Sequence, residues 1–462
     1  MRIVLTGFRG TGKTTVGRIL ADRLEIPFLD TDQVIEGRAG MKIPAIFREQ
    51  GESAFRNLER ETIASLPADE VIVSAGGGAV LDPVNVAHLK RGSHVFLLGA
   101  DDETIIKRIG GSDRPSLTGR PLSEEVGELL QRRRPAYLRA ADFCIGTGER
   151  SPEEVAEEIV RTLREGPVPH DAKESGQRFI EGIPLPDGDR ATLSTILHGA
   201  GNSRVGICGI TGYPCAHSRS PFLWNQLFTH YSLPYFYTSF EWPELGEVMR
   251  AARDLGVRGL AVTIPFKESV VGYLDEVDED ARAIGAVNTV VQCGGVLHGY
   301  NTDWLGIRAP LEDLRGVMGA RAAVLGAGGA AAAAVYALRS LEMEVTVLAR
   351  SVERAERLAS RFGCHAGPLT SFRDLDPVVV VNATPVGMLP GRSSLLTGED
   401  LKEGMTVFDL VYTPPETPLI SLARRAGCRV IPGTEMFIHQ AREQFMHVTG
   451  IRVPETLIRE LV

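Results

Sequence analysis

The chain lacks any cysteine spacing that binds a metal or performs redox chemistry. Its six cysteines, Cys144, Cys208, Cys215, Cys293, Cys364 and Cys428, form no C-x-x-C pair. A thiolate metal site is therefore excluded, and buried or incidental thiols in a reducing compartment are expected. A basic excess is also missing: 50 Lys and Arg face 59 Asp and Glu, a net charge of −9. That balance argues against nucleic acid as a partner, because phosphate binding needs a basic face. No apolar run approaches the roughly 18–20 residues of a membrane span. The strand-like Arg2-Ile3-Val4-Leu5-Thr6 runs straight into Gly7, so no signal peptide is expected. No internal repeat is visible. The expectation is a cytoplasmic protein with neither membrane nor nucleic-acid partners.

What is present is ordinary globular composition, 43% hydrophobic and 24% charged, over 462 residues. That length predicts roughly three domains of about 100–200 residues each. Residues 1–164 alternate short apolar runs (Ile3–Thr6, Val71–Ser74, His94–Leu98, Phe143–Ile145) with amphipathic segments such as Lys13–Leu24 and Pro152–Leu163. This rhythm predicts an α/β domain with a parallel sheet. Residues 165–203 hold Pro167, Pro169, Pro184 and Pro186 among many glycines and charges. They read as a linker with a short helical turn around Thr192–Leu197. Alternation resumes at Val205, with Leu260–Ile264 strand-like. A further β-α-β unit is predicted from Ala322–Leu325, the Ala-rich Gly329–Leu341 and Glu344–Leu348. The alanines at 330–334 fit close helix-to-sheet packing.

Two glycine turns of different design carry the chemistry. Gly7-Phe8-Arg9-Gly10-Thr11-Gly12-Lys13-Thr14 matches G-x-x-x-x-G-K-[ST] between a strand and a helix. Glycines let backbone N–H groups converge on phosphate oxygens, and the helix N-terminus adds its dipole. Lys13 suits the β/γ phosphates and the Thr14 hydroxyl suits Mg²⁺. Asp30 and Asp32, two apart at the end of a strand, are expected on one side of it. One carboxylate would serve the metal and the other the accepting hydroxyl.

Further motifs follow: Phe55-Arg56-Asn57-Leu58-Glu59, Gly76-Gly77-Gly78 and Arg133-Arg134-Pro135-Ala136-Tyr137. With D-x-D at 30–32, this order resembles shikimate kinase throughout the first half. The resemblance implies a P-loop fold with ATP and Mg²⁺. Thr14 and Asp30 would lie on the metal side, and Asp32 on the hydroxyl. Arg56 and Arg133 would clamp the shikimate carboxylate, a task suited to a guanidinium fork. Gly76, Gly77 and Gly78 would touch the ring. Gly10, Gly12, Lys13, Thr14 and Thr15 would hold the phosphates, and Arg108 and Pro152 would flank adenine. Residues 110–117 resemble the lid, where Arg114 would stabilise the transferring phosphoryl; it fits the glycine spacing better than Arg120.

The second turn, Gly326-Ala327-Gly328-Gly329-Ala330, has the flanks of a dinucleotide-binding fold. No acidic residue closes the following strand. Arg350 stands there, with Arg354 one turn later, and a cation suits the 2′-phosphate of NADP. Ser218 and Ser220, Thr263 and Lys267, Asn288, and Asn301-Thr302-Asp303 follow in an order that resembles shikimate dehydrogenase over 204–462. By that resemblance Lys267 and Asp303 are the catalytic pair, supplying a proton and a positive neighbour to a developing alkoxide. Ser218, Ser220, Thr263, Asn288, Tyr412 and Gln440 would contact substrate. Thr384, Gly433 and Met436 would lie near the cofactor with Gly326, Ala327, Gly328, Gly329, Ala330, Arg350 and Arg354. Two positions depart from the family: Ala261 stands where asparagine is common, and Ala349 where a polar residue is common.

Together the resemblances imply a bifunctional fusion. A kinase would occupy 1–164. A two-domain dehydrogenase would follow, with a substrate-binding part at 204–302 and 434–462 and a Rossmann part at 303–433. It would reduce 3-dehydroshikimate with NADPH and phosphorylate shikimate from ATP, as a monomer or homodimer with flexibly tethered, independent sites. Two alternatives stay open: a quinate/shikimate dehydrogenase using NAD, or a catalytically silent nucleotide-binding kinase half.

Overall fold

The computed structural model describes residues 2–110, 122–165, 179–185, 187–198, 205–216, 218–312, 314, 316–388 and 393–462. Three sheets organise it. The first contains β1 (Arg2–Thr6), β2 (Phe28–Asp30), β3 (Ile72–Ser74), β4 (Ser93–Gly99) and β5 (Phe143–Gly146) in the order β2-β3-β1-β4-β5. All its pairings are parallel. Ile3, Val4 and Leu5 of the central strand are fully buried, as expected for a strand covered on both faces. Among the described residues this half has the α-helices α1 (Lys13–Leu24), α2 (Thr31–Ala39), α3 (Ile43–Ala64), α4 (Pro83–Lys90), α5 (Asp102–Ile109), α6 (Leu122–Ala140) and α7 (Pro152–Glu165).

The second sheet is mixed. β6 (Gly206–Gly212), β7 (Tyr235–Glu241), β8 (Gly259–Val262), β9 (Glu276–Val277), β10 (Thr289–Cys293) and β11 (Val296–Tyr300) lie in the order β7-β6-β8-β10-β11-β9. β10 runs antiparallel to both neighbours. The third sheet holds β12 (Arg321–Leu325), β13 (Glu344–Ala349), β14 (His365–Pro368), β15 (Val379–Asn382), β16 (Thr406–Asp409) and β17 (Arg429–Ile431). Its parallel order β14-β13-β12-β15-β16-β17 is the doubly wound 3-2-1-4-5-6 arrangement, whose ligand crevice lies at the carboxyl ends of the central strands. Ala331, Ala332, Ala333 and Ala334 are buried where the helix Gly329–Ser340 approaches this sheet. No described helix is long and apolar enough to cross a membrane.

The connection between the halves is more structured than a linker reading implies. Asp187–His198 is a full helix. Leu193, with Ile180 and Ile183 ahead of that helix, packs into the core around Ile207, Phe240 and Leu260. Proline and charge content hid these spaced apolar residues.

Nor are the halves loosely tethered. Val86, Leu89 and Val95 of the first half share one core cluster with Phe228, Phe445 and Val448 of the second. Each such side chain contributes about 1.5–3 kcal/mol on burial. Lys90 bonds Asp142 at 2.6 Å, and Tyr235 from β7 donates its hydroxyl to the same carboxylate. Cys144 and Cys293 form a disulfide between β5 and β10, 149 residues apart in sequence. The expectation of unpaired thiols is therefore wrong for these two. The thiol count carried no signal for the pairing, because the strands meet only when the halves dock. Cys208, Cys215, Cys364 and Cys428 are free.

Candidate active sites

In the first half, β1 ends at Thr6 and the chain must turn sharply into α1. Gly7, Gly10 and Gly12 adopt φ of 140°, 85° and 91°, a region that favours glycine. At Gly7 a side chain is also barred by space, since a Cβ would lie 2.3 Å from Leu98 O. Lys13 folds over the turn and donates to Gly7 O at 2.8 Å and Phe8 O at 2.9 Å. Thr14 Oγ1 donates to Asp30 Oδ2 at 2.9 Å, bringing together the two expected metal-side oxygens. A cavity of about 450 Å³ opens here, lined among others by Gly10, Gly12, Lys13, Thr14, Thr15, Arg108 and Pro152. Arg108 is anchored on Thr147 and Gly148, with its Nη2 2.6 Å from Thr147 O. Arg114 lies outside the described residues, as does the rest of 111–121.

The Asp30 and Asp32 geometry differs from strand alternation. β2 stops at Asp30, which caps α2 by accepting from Asp32 N at 3.0 Å. Asp32 therefore projects from a helical turn. It still reaches the glycine run: a Cβ on Gly76 would lie 2.5 Å from Asp32 Oδ1. Likewise a Cβ on Gly78 would meet Arg56 Nη1 at 2.8 Å. Tyr137, one turn beyond Arg133 on α6, donates its hydroxyl to Gly77 O. The Arg133 guanidinium stands 6.0 Å from the Phe8 ring. Glu59 is buried and pairs with Arg56 at 2.9 Å. Burial lifts the Glu59 carboxyl above its usual range despite that partner. For Arg56, burial works against the charge, but Glu59 and Glu52 outweigh it and raise its pKa. Asp32 and Arg56 thus approach the two ends of the Gly76–Gly78 run, and Arg133 stands near Phe8 of the phosphate turn. Tyr137 had a motif to mark it, but no role could be read from sequence.

In the second half, Lys267 and Asp303 are 36 residues apart and bond at 2.6 Å. Lys267 follows β8, while Asp303 opens the helix Asp303–Glu312. The other Asp303 oxygen accepts from Asn288 Nδ2 at 2.7 Å, and the same amide approaches Gln440 Oε1 at 3.4 Å. Asp303, Asn288 and Gln440 are buried, which strengthens each charge-assisted bond. Ser218 Oγ donates to Ser220 Oγ at 3.2 Å. Tyr412 bonds Ser218, and burial raises the pKa of its phenol. Thr263 packs its methyl group over Gly212. His217, beside these serines in sequence, lies outside the described residues.

The dinucleotide turn faces this cluster. A methyl group on Gly329 would lie 3.1 Å from Lys267 Cβ, and one on Gly326 would lie 3.0 Å from Thr384 Cγ2. Gly326 is buried, and Ala327, Gly328, Gly329 and Ala330 are half-buried. Gly433 allows no side chain, since a Cβ would sit 2.5 Å from Val411 O, and Met436 is buried one turn along the same helix. Arg350 follows β13, and Arg354 donates its N–H to Ser351 Oγ at 3.3 Å to cap the next helix. Asp409, unremarked in sequence, ties this side together. It accepts from Asn382 Nδ2 at 2.8 Å and from Thr417 Oγ1 at 2.5 Å, fixing the loops that carry Thr384 and Tyr412. Ala261 pairs with Thr289 across β8 and β10, and Ala349 is buried at the end of β13.

Comparison with known proteins follows the same division. Residues 9–164 match the family model for shikimate kinase, and 210–290 match that for the shikimate dehydrogenase substrate binding domain. Shikimate dehydrogenase (NADP(+)) of Pyrococcus abyssi is 40% identical over 257 residues, which span 55% of this chain and 96% of that protein. The chain belongs to the shikimate dehydrogenase family. Its first half adds a shikimate kinase domain, so the protein is a fusion of the two. Among solved structures, shikimate 5-dehydrogenase from Thermus thermophilus with NADP(H) and shikimate is 34% identical, with a TM-score of 0.52 over 56% of this chain and 98% of that one. Quinate dehydrogenase from Corynebacterium glutamicum with NAD is 31% identical, with the same score and coverage. For the dehydrogenase half, Lys267–Asp303 beside Gly329 therefore lies in a fold whose solved relatives carry NADP(H) or NAD.

Proposed function

We propose that the protein catalyses two consecutive reactions on one small polyhydroxy acid. The dehydrogenase half reduces 3-dehydroshikimate to shikimate with NADPH, and the kinase half converts shikimate to shikimate 3-phosphate with ATP and Mg²⁺. The observation that carries this reading is the Lys267–Asp303 pair set against the dinucleotide turn. We assign the kinase to 1–164, the connection to 165–203, the substrate part of the dehydrogenase to 204–302 and 434–462, and its dinucleotide part to 303–433.

Ser218 and Ser220 offer hydroxyls for the substrate carboxylate, and the hydroxyls of Thr263 and Tyr412 with the amides of Asn288 and Gln440 offer its other contacts. Lys267 holds a proton at Nζ for the carbonyl oxygen as it gains charge, while Asp303 orients the ammonium. Bound NADPH supplies the hydride. Gly326, Ala327, Gly328, Gly329 and Ala330 fit its pyrophosphate because the turn presents backbone at a helix N-terminus. Arg350 and Arg354 would hold the 2′-phosphate, with Thr384, Gly433 and Met436 toward the nicotinamide.

In the kinase half, Arg56 and Arg133 hold the shikimate carboxylate, with Gly76–Gly78 against the ring. Asp32 accepts the hydroxyl proton. Thr14 and Asp30 would hold Mg²⁺, a pairing that suits an ion usually bound by one or two protein oxygens plus phosphates. Lys13 and Arg114 would neutralise the transferred phosphoryl group, and the cytoplasm is the compartment where ATP and NADPH would meet this chain.

Incubating the purified chain with 3-dehydroshikimate, NADPH, ATP and Mg²⁺ should yield shikimate 3-phosphate. Accumulation of shikimate alone would remove the kinase assignment. The likeness to quinate dehydrogenase with NAD favours one second reading, oxidation of quinate. Faster turnover of quinate with NAD than of 3-dehydroshikimate with NADPH would establish it instead.

A further inference from the structure

Helix α6 serves two masters. Arg133 and Tyr137 turn toward the kinase pocket, where Tyr137 bonds Gly77 O. Pro135 interrupts the helix between them, removing an internal hydrogen bond, but Tyr137 bonds Arg133 across the break and ties it to the final turn. Carbonyls of a final turn have no partner within their own helix. Here they are taken by two buried cations. Lys90 donates to Ala140 O at 3.0 Å. Arg258, which belongs to the other half of the chain, donates Nη2 to Leu138 O at 2.7 Å and Arg139 O at 3.3 Å.

The same guanidinium gives Nε to Val448 O at 3.1 Å and Nη1 to Gln292 O at 2.8 Å. Val448 lies on the helix that carries Gln440, and Gln292 on the strand that follows Asn288. Arg258 itself immediately precedes β8, which leads to Thr263 and Lys267. One 4%-exposed side chain therefore joins the end of the kinase helix to three segments of the dehydrogenase substrate site. The planar fork offers donors in fixed directions, and here Nε, Nη1 and Nη2 each serve a different segment; positive charge also suits a helix C-terminus. On the exposed rim, Arg134 adds a two-pronged pair with Glu276 at 2.8 and 3.1 Å.

We propose that Arg258 is a positioning residue for the kinase reaction: the dehydrogenase half caps α6 and thereby holds Arg133 in place to bind shikimate. This rests on the shikimate kinase reading of the first half.

The test uses the full-length chain with Arg258→Met, which keeps length and removes the donors. The KM for shikimate in phosphorylation should rise about tenfold, with the KM for ATP within about twofold. Arg258→Lys, which keeps charge without the fork, should fall between. Deuterium uptake over 134–141 should quicken in Arg258→Met. An unchanged KM for shikimate in soluble Arg258→Met overturns the proposal. Where that variant does not accumulate folded, Glu276→Arg sets like charge against Arg134 on the rim. It should raise the same KM about threefold, and no rise overturns the proposal. Wild-type protein that does not phosphorylate shikimate would defeat the kinase reading instead. Uptake over 134–141 then decides the capping, equal rates in wild type and Arg258→Met counting against it.

Discussion

The two phosphate-binding turns begin alike, each a buried parallel strand running into glycine at positive φ, and then diverge. The first puts its charge inside the turn: Lys13 lies across it and Thr14 reaches Asp30. The second contains only Gly and Ala, and its nearest proposed cation, Arg350, stands at the end of the neighbouring strand. A triphosphate whose terminal group is transferred needs charge at the reacting atoms. A dinucleotide whose phosphates only anchor it needs backbone N–H groups and close approach. The charge we propose to react in the second half sits instead outside its turn, in Lys267–Asp303.

The sharpest way to break this comparison is to remove one reacting charge and watch the other half. Lys267→Met should lower kcat for NADPH-dependent reduction by about 10²–10⁴ and leave phosphorylation unchanged. Loss of both activities would mean that the two sites are not chemically separate.

Next in size is the buried pair at the seam. Asp142→Asn leaves Lys90 buried beside a neutral partner and should cost about 3–5 kcal/mol in chemical denaturation. Burial opposes the Asp142 charge, but Lys90 and hydrogen bonds from Tyr235 and Val95 outweigh it and lower the pKa. The carboxylate's contribution is then complete above the ordinary aspartate value and is lost as pH falls through the depressed one. The difference in Tm between wild type and variant should be greatest at neutral pH and shrink in acid; growth on acidification would contradict the sign.

Smaller effects separate the pockets. Gly76→Ala would place Cβ 2.5 Å from Asp32 Oδ1. Steady-state assays should show phosphorylation falling by about 10²-fold while reduction is spared. Arg350→Ser should reduce the preference for NADPH over NADH by about tenfold, read from the ratio of the two kcat/KM values. An unaltered ratio would move recognition of the 2′-phosphate elsewhere.

Much of the molecule was legible because its motifs are local. Lys13–Leu24 forms the helix that its position after the glycine turn predicts, and four of the five alanines at 330–334, all but Ala330, are buried where their helix meets the sheet and the helix Asp303–Glu312. Strand alternation misplaced Asp32 because Asp30 caps a helix, and a capping side chain ends the strand it follows. Asp409 gave no warning, since one acid at a strand end looks like any turn residue until Asn382 and Thr417 converge on it.

Sequence by itself determined the two glycine turns, the order of charged motifs beside each, and the residue types available for proton and phosphoryl chemistry. These depend on neighbours within a few positions, where backbone geometry leaves little choice. Tertiary structure alone decided that Lys267 meets Asp303, that Cys144 meets Cys293, and that Arg258 caps a helix 119 residues before it. Such contacts close long loops. They form only because buried apolar surface shared by both halves offsets the entropy of closure, and no local pattern records which distant partner that surface will bring.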